Sequence, residues 1–151
     1  MKKKNHLLFL FLLFVAASCS NNSNKEKKPE NDIDAARDFI RAALDGKFDL
    51  AKTYMLQDSS NTQYLDAVER NYQKMADSTK EGYHESSINI HRVDPVNDST
   101  TIIIYSNSFK NDNDTLRVLK INQQWLVDLK YIFEHNRDTL SKKINQIDTV
   151  Q

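Results

Sequence analysis

Ser99-Thr100-Thr101-Ile102-Ile103-Ile104-Tyr105-Ser106-Asn107-Ser108-Phe109, with the stretch that follows it to Tyr131, decides the fold of this chain. Five consecutive β-branched residues, Thr100 to Ile104, suit a pleated strand. Lys110-Asn111-Asp112-Asn113 is turn chemistry, because Asn and Asp tolerate positive φ and bond their own backbone. Thr115–Ile121 reads as the next strand, Asn122-Gln123 as a turn, and Trp125–Tyr131 as the strand after it. The single tryptophan, Trp125, is expected to lie largely buried as the anchor of that last strand.

Upstream, Tyr83–Val93 reads as a first strand, with Ile88 and Ile90 on one face and Asn89 and His91 on the other. Asp94-Pro95-Val96-Asn97-Asp98 then turns the chain into the Ser99 strand. Before this, the apolar period changes to that of helices. Asp32 or Asp34 is placed to cap a first helix carrying Ala36, Phe39, Ile40, Ala43 and Leu44, and Gly46 follows at the position where a helix turns off. Phe48, Ala51, Tyr54 and Met55 make a short second helix. Gln57–Asn61 reads as a loop, and Thr62 opens a third helix through Leu65, Val68, Tyr72, Met75 and Ala76, ended by Gly82. The fold class is therefore α+β, three N-terminal helices packed on a curved four-stranded antiparallel sheet, over residues 32–133. After Phe133 the chain turns polar, and residues 134–151 read as a tail or one short helix with Leu140, Ile144 and Ile147 on its stripe.

The N-terminus carries an address. Lys2, Lys3 and Lys4 precede an apolar run from Leu7 to Val15, too short to span a bilayer, and Ala16-Ala17-Ser18 leads into Cys19. Val15 to Cys19 resembles the lipobox of bacterial lipoproteins, with Ala16 where Leu is usual. That resemblance implies a signal peptide over residues 1–18 and a diacylated Cys19 as the mature N-terminus. Cys19 is the only cysteine, so no intramolecular disulfide forms. Residues 19–31 are polar and read as a lipidated flexible tether. Lipoproteins exported to the surface of some Gram-negative bacteria resemble one another in an acidic run after the cysteine; its absence here points to the periplasmic face of the outer membrane. Removing the three lysines of the signal from 21 basic residues leaves 18 against 21 acidic ones, a net of −3, which is no footprint for nucleic acid.

Ala35–Lys52 resembles the opening of domains in the nuclear-transport-factor-two-like, or cystatin-like, superfamily: a helix ending at Asp45-Gly46, then Phe48 and Ala51 on a second helix. Leu119–Asp128 is similar to the last hairpin of that superfamily, with Trp125 opening the final strand. One departure is Asn122-Gln123-Gln124 where a glycine is usual in the turn, which implies a longer turn or one of another type. The resemblance implies a sheet curved around helices into a cone with a cavity at its wide end. It also implies kinship with small uncharacterised bacterial lipoproteins. The superfamily includes isomerases, dehydratases and cyclases beside many binding modules, so the fold alone does not assign a function.

Catalytic patterns are missing. His84-Glu85 begins like a zinc-protease motif but meets Ile88 where a second histidine is required. No His, Asp or Glu pair has metal-ligand spacing on a helix, and no cofactor motif occurs. His91 reads as a surface or cavity-rim residue. Tyr54, Tyr72, Tyr105, Asp66 and Asp128 supply the residue types of an isomerase site, a carboxylate base with a phenolic oxyanion donor, without its motif. Asp128 and Lys130 read as a solvated pair on one strand face, and Asp66 and Arg70 as a helix-surface pair. Asp followed by Ser or Thr recurs at Ser78, Ser99, Thr115, Thr139 and Thr149, which resembles the O-glycosylation sequon of one group of Gram-negative bacteria; turn and cap chemistry accounts for the same pairs. The reading favoured is a lipid-anchored envelope domain without catalysis or cofactor. It takes a small apolar ligand, a peptide or an envelope protein as partner, besides the membrane held through its N-terminal lipid. The alternatives are a cavity enzyme of isomerase or hydratase type and a structural envelope component.

Overall fold

The structure, a computed structural model, describes residues 28–133. Its order is α1 (Asp32–Leu44), α2 (Phe48–Thr53), α3 (Ser59–Gln73), α4 (Asp77–Glu85), β1 (Ile88–Asn97), β2 (Thr100–Asn107), β3 (Asp114–Ile121) and β4 (Gln124–Asp128). A helical turn at residues 130–133 follows β4. The strands form one antiparallel sheet in the order β1-β2-β3-β4, and the α+β class is as expected. Cys19, Thr139, Thr149, the signal peptide and the segment through Leu140, Ile144 and Ile147 lie outside the described residues.

Asn31, not Asp32 or Asp34, caps α1: its Oδ1 accepts from the backbone N–H of Asp34 at 2.8 Å. Asp32 is thereby released to accept from the Thr101 hydroxyl at 2.6 Å, which ties the start of α1 to β2. Gly46 sits at φ 71° and closes α1, with its N–H on Ala43 O at 3.1 Å and that of Lys47 on Ala42 O at 2.8 Å. The expected loop before α3 is shorter than the sequence suggested. Asp58 caps the helix by accepting from Asn61 N at 2.9 Å, so α3 opens at Ser59 rather than Thr62.

The long helix expected to run to Gly82 is two. An extended residue at Ala76 (ψ 149°) breaks it, and α4 begins at Asp77. Gly82 lies inside α4 and stops nothing. A Cβ there would stand 2.4 Å from the Phe109 ring, so the glycine admits that ring, which packs edge-on to Tyr83 at 5.2 Å between centroids. The end of α4 is held instead by Arg41, whose guanidinium donates to the carbonyls of Tyr83, His84 and Ser86 at 3.0 to 3.1 Å. Tyr83 is thus helical, and β1 starts at Ile88.

β1 also runs further than expected, through Pro95 to Asn97, leaving Asp98 and Ser99 as the turn. Proline is tolerated because β1 is an edge strand that need not donate outward. Register shifts at Ile90/Arg92 and Pro95/Asn97 bend the strand, and His91 is the extra residue of the first. The other edge, β4, is covered by chain after α2: Val127 N donates to Tyr54 O, and Leu56 N to Val127 O, each at 2.9 Å. Asn122 and Gln123 lie at φ 49° and 64°, so the β3–β4 turn is a two-residue turn of type I′ form, not a longer loop.

One face of the sheet supplies Ile103, Leu116, Val118 and Val127, all fully buried. Ala35, Ala36, Phe39 and Ile40 of α1, Phe48 and Ala51 of α2, Met55 and Leu65 pack on them. Trp125 is corrected from core anchor to margin: it is only partly buried, beside the β3–β4 turn, with the Lys120 ammonium 5.5 Å from its ring centroid. The register places both tight turns, 98–99 and 122–123, at one end of the sheet. The Asn107-to-Asp114 loop lies at the other.

Candidate functional site

A cavity of about 470 Å³ opens at the end of the sheet that carries the β2–β3 loop. α1 gives it Phe39, Ile40 and Leu44, the sheet gives Leu116, and α3 gives Leu65, Val68 and Tyr72. Phe39, Ile40, Leu65 and Leu116 belong to the buried core as well, so the chamber opens directly off it. Val68, 38 % exposed, is apolar surface facing this space rather than a misplaced core residue. Leu129, Ile132 and Phe133 close another side, and Phe133 stacks on Tyr64 with ring centroids 4.2 Å apart. Polar groups collect at the rim: Asn71, Asn107, Lys110, Asp112, Asn113 and Asp114. An apolar chamber with a polar rim is the common form of a small-molecule site.

The rim loop is built by its asparagines. Asn107 Oδ1 accepts from Lys110 N at 2.9 Å, Asn111 N donates to Asn107 O at 2.8 Å, and Asn111 takes φ 60°. Tyr105 points into the cavity from β2 and donates its O–H to Asp114 Oδ2 at 3.4 Å. Burial, then the Asp114 charge, pushes the phenol well above the usual tyrosine range. Tyr105 is therefore a neutral donor throughout the physiological range. Tyr72, also on the wall, is pushed up by burial and then by the charges of Asp45 and Glu81.

The wall at Leu129–Phe133 is held by a polar cluster. Asp128 is almost wholly buried and takes two bonds from Arg117, at 2.6 Å from Nη2 and 3.1 Å from Nε. This corrects the expectation of a solvated Asp128–Lys130 pair. Arg117 lies opposite Asp128 across β3 and β4 and covers it, with its guanidinium 5.3 Å from the Tyr131 ring centroid. The Lys130 ammonium turns to Asp58 at 2.9 Å and stays 4.0 Å from Asp128. Buried Asn61 completes the cluster, accepting from Leu129 N at 2.7 Å. Asp58 is held down to about 2 by the backbone N–H of Asn61, then by Lys130.

Of the residues picked from the sequence, Tyr105 and Tyr72 line the cavity; Tyr54, Asp66, His91 and Asp128 do not. His91 is exposed and shares a 2.8 Å hydrogen bond with the hydroxyl of Ser106 on the neighbouring strand β2. His84 bonds Asp45 at 3.1 Å in the α1–α4 joint. Asp114 is the rim carboxylate that sequence reasoning missed as a cavity group; its signal was the register that sets it opposite Tyr105. Among the described residues no three His, Cys, Asp or Glu side chains cluster to hold a metal. Ser78 is exposed in the first turn of α4 and Ser99 on the β1–β2 turn, while Thr115 is partly buried in β3.

No family model matches the chain, and no curated protein matches it. Among solved structures it is similar to an NTF-2 like protein of unknown function from Shewanella oneidensis MR-1, at 17 % identity and TM-score 0.46, over 63 % of this chain and 89 % of that one.

Proposed function

We propose that this chain is a non-catalytic binding module, anchored through acylated Cys19 to the periplasmic face of the outer membrane, that holds a small apolar ligand. The observation that carries the reading is the cavity of about 470 Å³, lined by aliphatic and aromatic side chains and opening among Asn, Asp and Lys. Within it, Tyr105 is a hydrogen-bond donor whose partner, Asp114, lies at the long distance of 3.4 Å, so a ligand oxygen can compete for that proton. A cavity enzyme is the alternative: it would use Asp114 as base and Tyr105 as oxyanion donor, but Asp114 is exposed at the rim and its carboxylate already accepts from Tyr105.

The test uses the full chain, purified from the envelope of its host and examined by native mass spectrometry. Wild type is expected to carry a bound small molecule. Ala43→Trp, which fills the chamber from α1, is expected to keep its circular dichroism spectrum and lose that molecule. A wild type without any bound species, or an Ala43→Trp variant that retains one, would refute the reading.

A further inference from the structure

We infer that the end of the sheet formed by the β1–β2 and β3–β4 hairpins is a membrane-contacting surface that seats the domain on the lipid headgroup layer. This rests on the reading of Cys19 as the acylated N-terminus.

The first argument is where the described chain begins. Lys28 and Pro29 share a cleft with Gln123, Gln124, Trp125 and Leu126, so the tether arrives at this end. Eight residues separate Cys19 from Lys28. Such a segment spans at most about 30 Å, which keeps this end in the neighbourhood of the bilayer.

The second argument is what this end exposes. Among the described residues, the large apolar side chains left open to solvent are Val68, Val96, Phe109 and Ile121. Val68 faces the cavity and Phe109 lies over Gly82, so the fold already accounts for both. Val96, 62 % exposed, and Ile121, 40 % exposed, have no such role, and each stands beside one of the two tight turns. Lys120 N donates to Ser99 O at 2.8 Å, joining the hairpins into one surface. Trp125 lies on it, partly buried, with the Lys120 ammonium over its ring. An aromatic body beside an amine suits the boundary between headgroup and acyl chain. Lys28 and Lys120 add positive charge, but Glu30 and Asp98 are near, so contact depends more on apolar insertion than on lipid charge.

Because Trp125 is the only tryptophan, its fluorescence reads this surface directly. The full lipoprotein is reconstituted in phosphatidylethanolamine–phosphatidylglycerol vesicles, with or without bromine on the acyl chains near the headgroup. Wild type is expected to co-float with both vesicles and to lose Trp125 emission in the brominated ones. The double variant Val96→Asp/Ile121→Asp should co-float equally, through its lipid, and keep its emission. Co-flotation of wild type without quenching overturns the contact while leaving the anchor intact. Failure to co-float overturns the anchor and the contact with it. Quenching that persists in the double variant overturns insertion of Val96 and Ile121 as what seats the domain.

Discussion

Single residues set the strongest local constraints near the cavity. Asp128 is a buried carboxylate answered by Arg117, and removing it leaves a guanidinium without its partner. Asp128→Ala should therefore destabilise the domain by about 3 kcal/mol in chemical denaturation, less than a fully buried pair because Arg117 is partly open to water. Asp58 gives the pH dependence. Its carboxyl is lowered from 3.8 to about 2 in the folded state, so its stabilisation is present above the unfolded value and is lost as pH falls from near 4 through 2. Asp58→Asn should flatten acid unfolding monitored over that window and lower stability at neutral pH, where the Asp58–Lys130 pair is intact. Sequence reading placed Asp128 in solvent because strand alternation cannot see cover supplied from a neighbouring strand. Arg117 is eleven positions away, and only the register brings it opposite.

At the scale of elements, the turns carry identifiable strain. Gln123 holds φ 64° in a turn that favours glycine, so Gln123→Gly should raise stability by about 0.5–1 kcal/mol. Gly46 is the converse. At φ 71°, with a Cβ due 2.7 Å from the Tyr72 ring, Gly46→Ala should cost at least about 1–2 kcal/mol and disturb the cavity wall that Tyr72 forms. Both are read from thermal or urea unfolding. The strands β2 to β4 were legible because β-branched runs and Asn-rich turns are local signals. The α3–α4 break was not, since Met75 and Ala76 continue the helical stripe and only Ala76's extended backbone ends it. Gly82 misled for a related reason: glycine marks a helix end or a close approach alike, and the approaching ring, Phe109, comes from far along the chain.

For the whole molecule, the cavity was foreseeable only as a consequence of the fold, while its lining had to await the register. Tyr105 and Asp114 lie on separate strands, and nothing local pairs them. Trp125, at the margin, should matter less than a core tryptophan: Trp125→Ala is expected to cost about 2 kcal/mol, roughly half the loss at a buried site. Ser78 and Ser99 are exposed, so if the Asp-Ser pairs serve as glycosylation sites, native protein should exceed, in intact mass after allowing for lipid, the polypeptide made in an unrelated host. Finally, among the described residues neither edge of the sheet is a plain open strand. Pro95 and the His91 bulge interrupt β1, and the segment Tyr54–Leu56 occupies the open side of β4. Unprotected edges join one molecule to the next. On a membrane, anchored copies are crowded into two dimensions and oriented alike, which is the arrangement most favourable to lateral strand pairing. If the proposed anchor holds, a domain with one sheet edge covered and the other interrupted can be packed densely on such a surface and still remain a field of separate molecules rather than a growing ribbon.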